Sequence, residues 1–81
     1  MDFQELERRF LDEVRRRIRN GEVTERQLAR MTGISQPHIH NVLKGKRLIS
    51  TELADTILRV LRINLLDLIT REERESWRAH E

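Results

Sequence analysis

Phe3, Leu6, Phe10, Val14 and Ile18 return along the chain at steps of three and four, and nearly every position between them is charged or polar. That spacing places the five on one face of a helix. The helix is expected to run from about Asp2, its N-cap, to Arg19, with Asn20-Gly21 as the stop. Further along, Leu28, Ile34, Ile39 and Val42 are expected to supply the shared inner face of two shorter helices. Thr24 and Gln27 have capping-box spacing and start the first of these, which reaches about Met31. Gly33 marks a turn too tight for a side chain, and the small Ala29 and Gly33 fall where the two helices touch. Ser35 caps the second, with Pro37 in its first turn; the helix ends at Lys44, before Gly45.

A basic loop from Lys46 to Ile49 follows, and Ser50 caps a fourth helix holding Leu53, Ala54, Ile57, Leu58 and Leu61. Asn64 is expected to cap a fifth, built on Leu65, Leu66, Leu68 and Ile69. Thr70 and Glu73 form a second capping-box pair, so residues 70–80 either continue that helix or make one of their own.

Composition narrows the class. Eighty-one residues with 37% charged, one proline and no tyrosine suit a single small all-helical domain spanning 1–81. With no cysteine there is no disulfide or zinc-thiolate chemistry, which fits a reducing cytosol. No run approaches the ~20 apolar residues of a membrane span, and the acidic stretch MDFQELERRF is not expected to act as a signal peptide.

The net charge of +2 says little, but its distribution says more. From Arg26 to Thr51 there are five Lys or Arg and no Asp or Glu, inside a chain that otherwise mixes its charges. A phosphate backbone repels carboxylates and binds cations, so this acid-free window points to double-stranded DNA.

On a helical wheel of about 100° per residue, Ile39, Val42 and Leu43 face inward. Pro37, His40, Asn41 and Lys44 form the opposite stripe, at i, i+3, i+4 and i+7, with Gln36 near the helix start. That outward face is expected to carry no carboxylate. Gln and Asn can bond adenine N6 and N7, Lys can reach guanine O6 or N7, His can donate to either, and Pro offers only apolar contact. Gln36, Pro37, His40, Asn41 and Lys44 are therefore the candidate base-facing residues. Lys46 and Arg47 are placed for phosphates, as are the helix starts at Thr24 and Ser35, whose N–H groups can meet an anion.

The segment TERQLARMTGISQPHIHNVLKG, residues 24–45, resembles the helix-turn-helix of the Cro and phage-repressor family, the XRE family of bacterial regulators. Leu28-Ala29, Gly33-Ile34, Ile39 and Val42 match its framework, and Gly45-Lys46 matches its usual ending. LRINLLDLI is similar to its closing helix. The resemblance implies a compact five-helix, lambda-repressor-like fold with room for an extra C-terminal helix at 70–80. It also implies a cytoplasmic, nucleoid-associated transcriptional regulator, a repressor in the usual case. Glu25 stands where the family often has a phosphate-touching Gln. Leu43 replaces a Glu that pairs with an Arg on helix 1, so Arg17 needs another partner or lies along apolar surface. Arg62 replaces a common glycine.

Other chemistry finds less support. His38 and His40 point about 160° apart on a helix, and nothing completes a metal site with them. Glu72, Glu73 and Glu75 interleave with Arg71, Arg74 and Arg78 as a solvated face, and no pocket is evident. No enzymatic activity and no cofactor are expected. Arg15, Arg16, Arg17 and Arg19 fit cations near a helix C-terminus beside Asp12 and Glu13, with secondary phosphate contacts as the alternative. Leu65, Leu66, Leu68 and Trp77 exceed what one core can bury and point to a homodimer. Protonation of His38 and His40 adds positive charge, so DNA binding is expected to tighten at mildly acidic pH. Two other functions fit the same residues: a DNA-binding antitoxin with a toxin partner, and a helix-turn-helix kept as a protein-interaction module.

Overall fold

A computed structural model describes residues 1–79, with side chains as far as Ser76. Five α-helices follow in order: α1 (Phe3–Arg19), α2 (Glu25–Thr32), α3 (Gln36–Leu43), α4 (Thr51–Leu61) and α5 (Arg71–Ala79). No strand occurs among the described residues.

Local chemistry sets where the helices start. The Asp2 carboxylate accepts from Glu5 N–H at 2.8 Å. Thr24 and Gln27 close a reciprocal capping box at 3.0 and 2.9 Å. Ser35 accepts from His38 N–H at 3.3 Å and Ser50 from Leu53 N–H at 3.1 Å. Each cap satisfies a donor that has no partner within its own helix.

Gly33 ends α2 in the left-handed region, at φ 76°. A Cβ built there would meet no atom within 4 Å. The turn therefore needs glycine for its backbone angle and not, as the sequence implied, because space is short.

The core is a single cluster. Phe10 and Val14 of α1, Val23, Leu28 of α2, Ile39, Val42 and Leu43 of α3, Leu53 and Ile57 of α4, and Ile63 are all buried. Ile34, Ala29, Ile18 and Leu68 pack against it. Phe3 departs from the expected apolar face and is 75% exposed, because the first turn of α1 overhangs the cluster. It borders a groove whose walls include Leu6, Phe10, Ala54, Leu58 and Leu65.

The expected fifth helix is one 3-10 turn, Leu65–Leu68. Asn64 caps it by accepting from Leu66 N–H at 3.0 Å. Ile69 then goes extended (φ −106°, ψ 131°) and is buried. Thr70 immediately caps the next helix, bonding reciprocally with Glu73 at 2.9 and 3.2 Å. Five residues lie between the caps Asn64 and Thr70, and with Ile69 extended only four remain, which is room for one turn. The C-terminal helix is thus separate. Leu65 and Leu66 are exposed, while Leu68 turns partly inward. The Trp77 side chain and His80 lie outside the described residues.

Arginines of α1 fasten the ends of the later elements. Arg15 Nε donates to the Leu43 carbonyl at 2.7 Å, Arg17 Nη1 to that of Leu61 at 2.6 Å, and Arg9 Nη1 to that of Leu68 at 2.9 Å. These acceptors end α3, α4 and the 3-10 turn, where carbonyls have no intrahelical donor. Arg17 thereby finds the partner that the sequence left open, and its Nε also bonds Glu13 at 2.8 Å. Arg16 and Arg17 beside Glu13 hold its carboxyl down at about 2, with Arg16 the larger influence. Arg9 bonds both Glu73 oxygens at 2.6 and 3.1 Å, tying α5 to α1. That guanidinium, helped by the Thr70 N–H, brings the Glu73 carboxyl to about 2. Arg15 pairs with Asp12, and Arg16 and Arg17 with Glu13, as the helix-terminus reading expected, while the bonds to the Leu43 and Leu61 carbonyls go beyond it.

Candidate nucleic-acid interface

The α2–Gly33–α3 unit holds α3 by its inner residues and leaves its other face free. Ile39, Val42 and Leu43 fix the helix in the core, while Gln36, Pro37, His40 and Lys44 are exposed and Asn41 is half-buried. Gln36, Pro37, His40 and Asn41 line one shallow depression with Glu25, and Lys44 follows as the C-cap of α3, outside that depression. Gln36, Asn41 and Lys44 make no side-chain hydrogen bond or ion pair among the described residues, so their polar groups are available to a ligand.

The loop after α3 is built by the backbone. Gly45 adopts φ 75°, its N–H bonds the Val42 carbonyl at 3.1 Å, and Lys46 N–H bonds that of Asn41 at 2.9 Å. These are the paired bonds of a Schellman end, which a left-handed glycine permits. Arg47 N–H adds a bond to the Asn41 carbonyl at 3.2 Å. The backbone carrying Lys46 and Arg47 is therefore fixed relative to α3, and both side chains are exposed.

Thr24 and Ser35 sit at the starts of α2 and α3, but their hydroxyls already accept capping bonds. The Thr24 N–H is also taken, by Gln27. Whatever these positions offer an anion comes from the N–H groups just inside each helix, and Pro37 removes one of those in α3.

The face is not free of carboxylate, contrary to the sequence expectation. Glu25, the first residue of α2, directs its carboxylate to His40 Nδ1 at 3.1 and 3.3 Å. Glu25 lies one residue before the acid-free window, so the linear charge pattern missed it. Only the packing of α2 against α3 brings positions fifteen apart into contact. His38 is half-buried on another side of α3. Among the described residues, no three His, Cys, Asp or Glu side chains lie close enough to hold a metal ion. No helix among them is long and apolar enough to cross a membrane.

Two capped helices joined by a left-handed glycine, with the second anchored by its inner face, define a helix-turn-helix domain. A helix-turn-helix family model matches residues 14–68, and the chain belongs to that family, the XRE type associated with DNA-binding regulators. The match runs from the middle of α1 to the end of the 3-10 turn, so α5 lies beyond it. No curated protein and no solved structure gives a significant match.

Proposed function

We propose that the chain is a sequence-specific transcriptional regulator, a repressor, that binds double-stranded DNA by placing α3 in the major groove. The observation that carries this reading is the exposed α3 face, whose amide and ammonium groups have no internal partner while its inner residues are locked in the core. Gln36, Pro37, His40, Asn41 and Lys44 meet base edges. Lys46 and Arg47 meet phosphates, joined by the helix starts at Thr24 and Ser35. The mechanism is binding without chemistry, needs no cofactor, and acts in the cytoplasm on nucleoid DNA.

The regulator works as a homodimer through Leu65, Leu66, Leu68 and Trp77. Leu65 and Leu66 are 41% and 52% exposed, which supplies apolar surface for a second copy. Two copies present their α3 helices one DNA turn apart, ~34 Å, and so require a near-palindromic site.

Selection from a randomised duplex pool, followed by affinity at several salt concentrations, tests the proposal. An enriched inverted repeat with steep salt dependence is expected. Lys44→Ala and Arg47→Ala each weaken binding, and each phosphate contact removed lowers the salt slope by about one unit. No enrichment, with little binding at low salt, overturns it and favours the interaction-module reading.

A second reading, a DNA-binding antitoxin, draws on the apolar groove between α1 and α4 beside the exposed Phe3, which offers a partner protein a seat. Co-purification with a toxin encoded by a neighbouring gene distinguishes it from a free-standing regulator.

A further inference from the structure

We infer that Glu25 is a positioning residue that fixes which hydrogen-bonding edge of His40 faces DNA, so that α3 reads a different base when the imidazole is neutral than when it is charged. This rests on the DNA-binding reading above.

An ionised carboxylate only accepts hydrogen bonds, so the ring nitrogen facing Glu25 must carry a proton. That nitrogen is Nδ1, within 3.1 and 3.3 Å of the two carboxylate oxygens. A neutral imidazole has a single N–H. With that proton committed to Glu25, the free Nε2 of neutral His40 is a hydrogen-bond acceptor. The major-groove donors it can meet are adenine N6 and cytosine N4. Protonation adds a hydrogen at Nε2 and leaves the Glu25 bond in place. Nε2 then becomes a donor, suited to the two acceptors of guanine, O6 and N7. The ring keeps its position while its exposed edge changes from acceptor to donor.

The surroundings leave this exchange to Glu25. The depression around the ring is otherwise lined by Gln36, Pro37 and Asn41, which do not titrate. Lys44, one helical turn along α3, is the other charged residue of that stripe. From α2 only Glu25 bonds the ring. The same pair answers a difficulty of charge. A carboxylate on a DNA-facing surface opposes phosphate, and a protonated His40 neutralises it.

The test has two parts. Nitrogen chemical shifts of the His40 ring in the free protein at pH 8 report the tautomer without any DNA. The wild type is expected to carry its proton on Nδ1, and Glu25→Ala to move it to Nε2. Glu25→Gln, whose amide oxygen can still accept, is expected to keep it on Nδ1. Duplex selection at pH 8 and pH 5.5 then reads the base. For the wild type, enrichment at one operator position moves from adenine or cytosine towards guanine by ~3- to 10-fold, the worth of one exchanged hydrogen bond. Glu25→Ala gives the same base at both pH values, and His40→Ala removes the preference. An Nε2–H tautomer in the wild type, or an enriched site with a pH-indifferent base preference, overturns the inference and leaves DNA binding standing. No enriched site for any variant overturns the DNA reading as well.

Discussion

The bond from Arg15 to the Leu43 carbonyl predicts how firmly the end of α3 is held. Arg15 is 35% exposed, its Nε donates at 2.7 Å, and its Nη1 reaches Asp12 at 2.9 Å. Arg15→Met keeps most of the aliphatic stem and removes the guanidinium, which isolates the hydrogen bond from packing. A bond to a charged donor contributes ~1.5–3 kcal/mol when well shielded, and partial exposure puts this one near the bottom of that range. Loss of a cation beside a helix C-terminus adds ~0.3–1 kcal/mol, whereas the solvent-facing pair with Asp12 adds little. The total is about 2 kcal/mol. At ~4–8 °C per kcal/mol for a domain of this size, the melting temperature falls by ~8–16 °C. Hydrogen exchange should quicken in the last turn of α3 and in the Gly45–Arg47 loop, and DNA affinity should fall with the fraying of Lys44. A variant melting within about two degrees of wild type, with unchanged exchange in that turn, would refute the clamp.

Arg62 ends α4 in the left-handed region at φ 55°, a conformation that costs a side chain about 1 kcal/mol and glycine almost nothing. Arg62→Gly should therefore raise the melting temperature by a few degrees, and a fall would show that the arginine side chain contributes more than its backbone costs. Glu13 and Glu73 titrate near 2 in the folded chain against an ordinary 4.5, so the stability they contribute is complete above about pH 4.5 and is lost as pH falls towards 2. Thermal melts should decline across that window and Glu73→Gln should flatten part of the decline; a melting temperature at pH 2.5 equal to that at pH 6 contradicts this.

What the sequence made visible was whatever depends on near neighbours. Capping at Asp2, Thr24, Ser35, Ser50, Asn64 and Thr70 is readable because cap and donor lie two or three residues apart. The buried stripe of α3 is readable because helical periodicity alone sets it. Phe3 obeys the same periodicity yet ends up exposed, since periodicity assigns a face but not how far the core extends beneath it. Leu65 to Ile69 look helical by composition, but the cap at Thr70 restricts them to one turn. The contacts most relevant to the candidate site escaped entirely. Glu25 meets His40 across fifteen positions and Arg15 meets Leu43 across twenty-eight, and only tertiary packing creates either pair.

The fastening of later elements to α1 also bears on the order in which the chain can become structured during synthesis. The acceptors reached by Arg15, Arg17 and Arg9 lie 28, 44 and 59 positions downstream. A ribosome releasing residues one at a time exposes α1 first, while the carbonyls it will hold arrive last. A nascent chain that has just completed α3 can engage Arg15 alone, while Leu53, Ile57 and Ile63 of the core cluster have yet to join. Cooperative closure must therefore wait until the 3-10 turn has emerged. Until then the chain has a finished turn between α2 and α3 but no stable means of holding α3 in place.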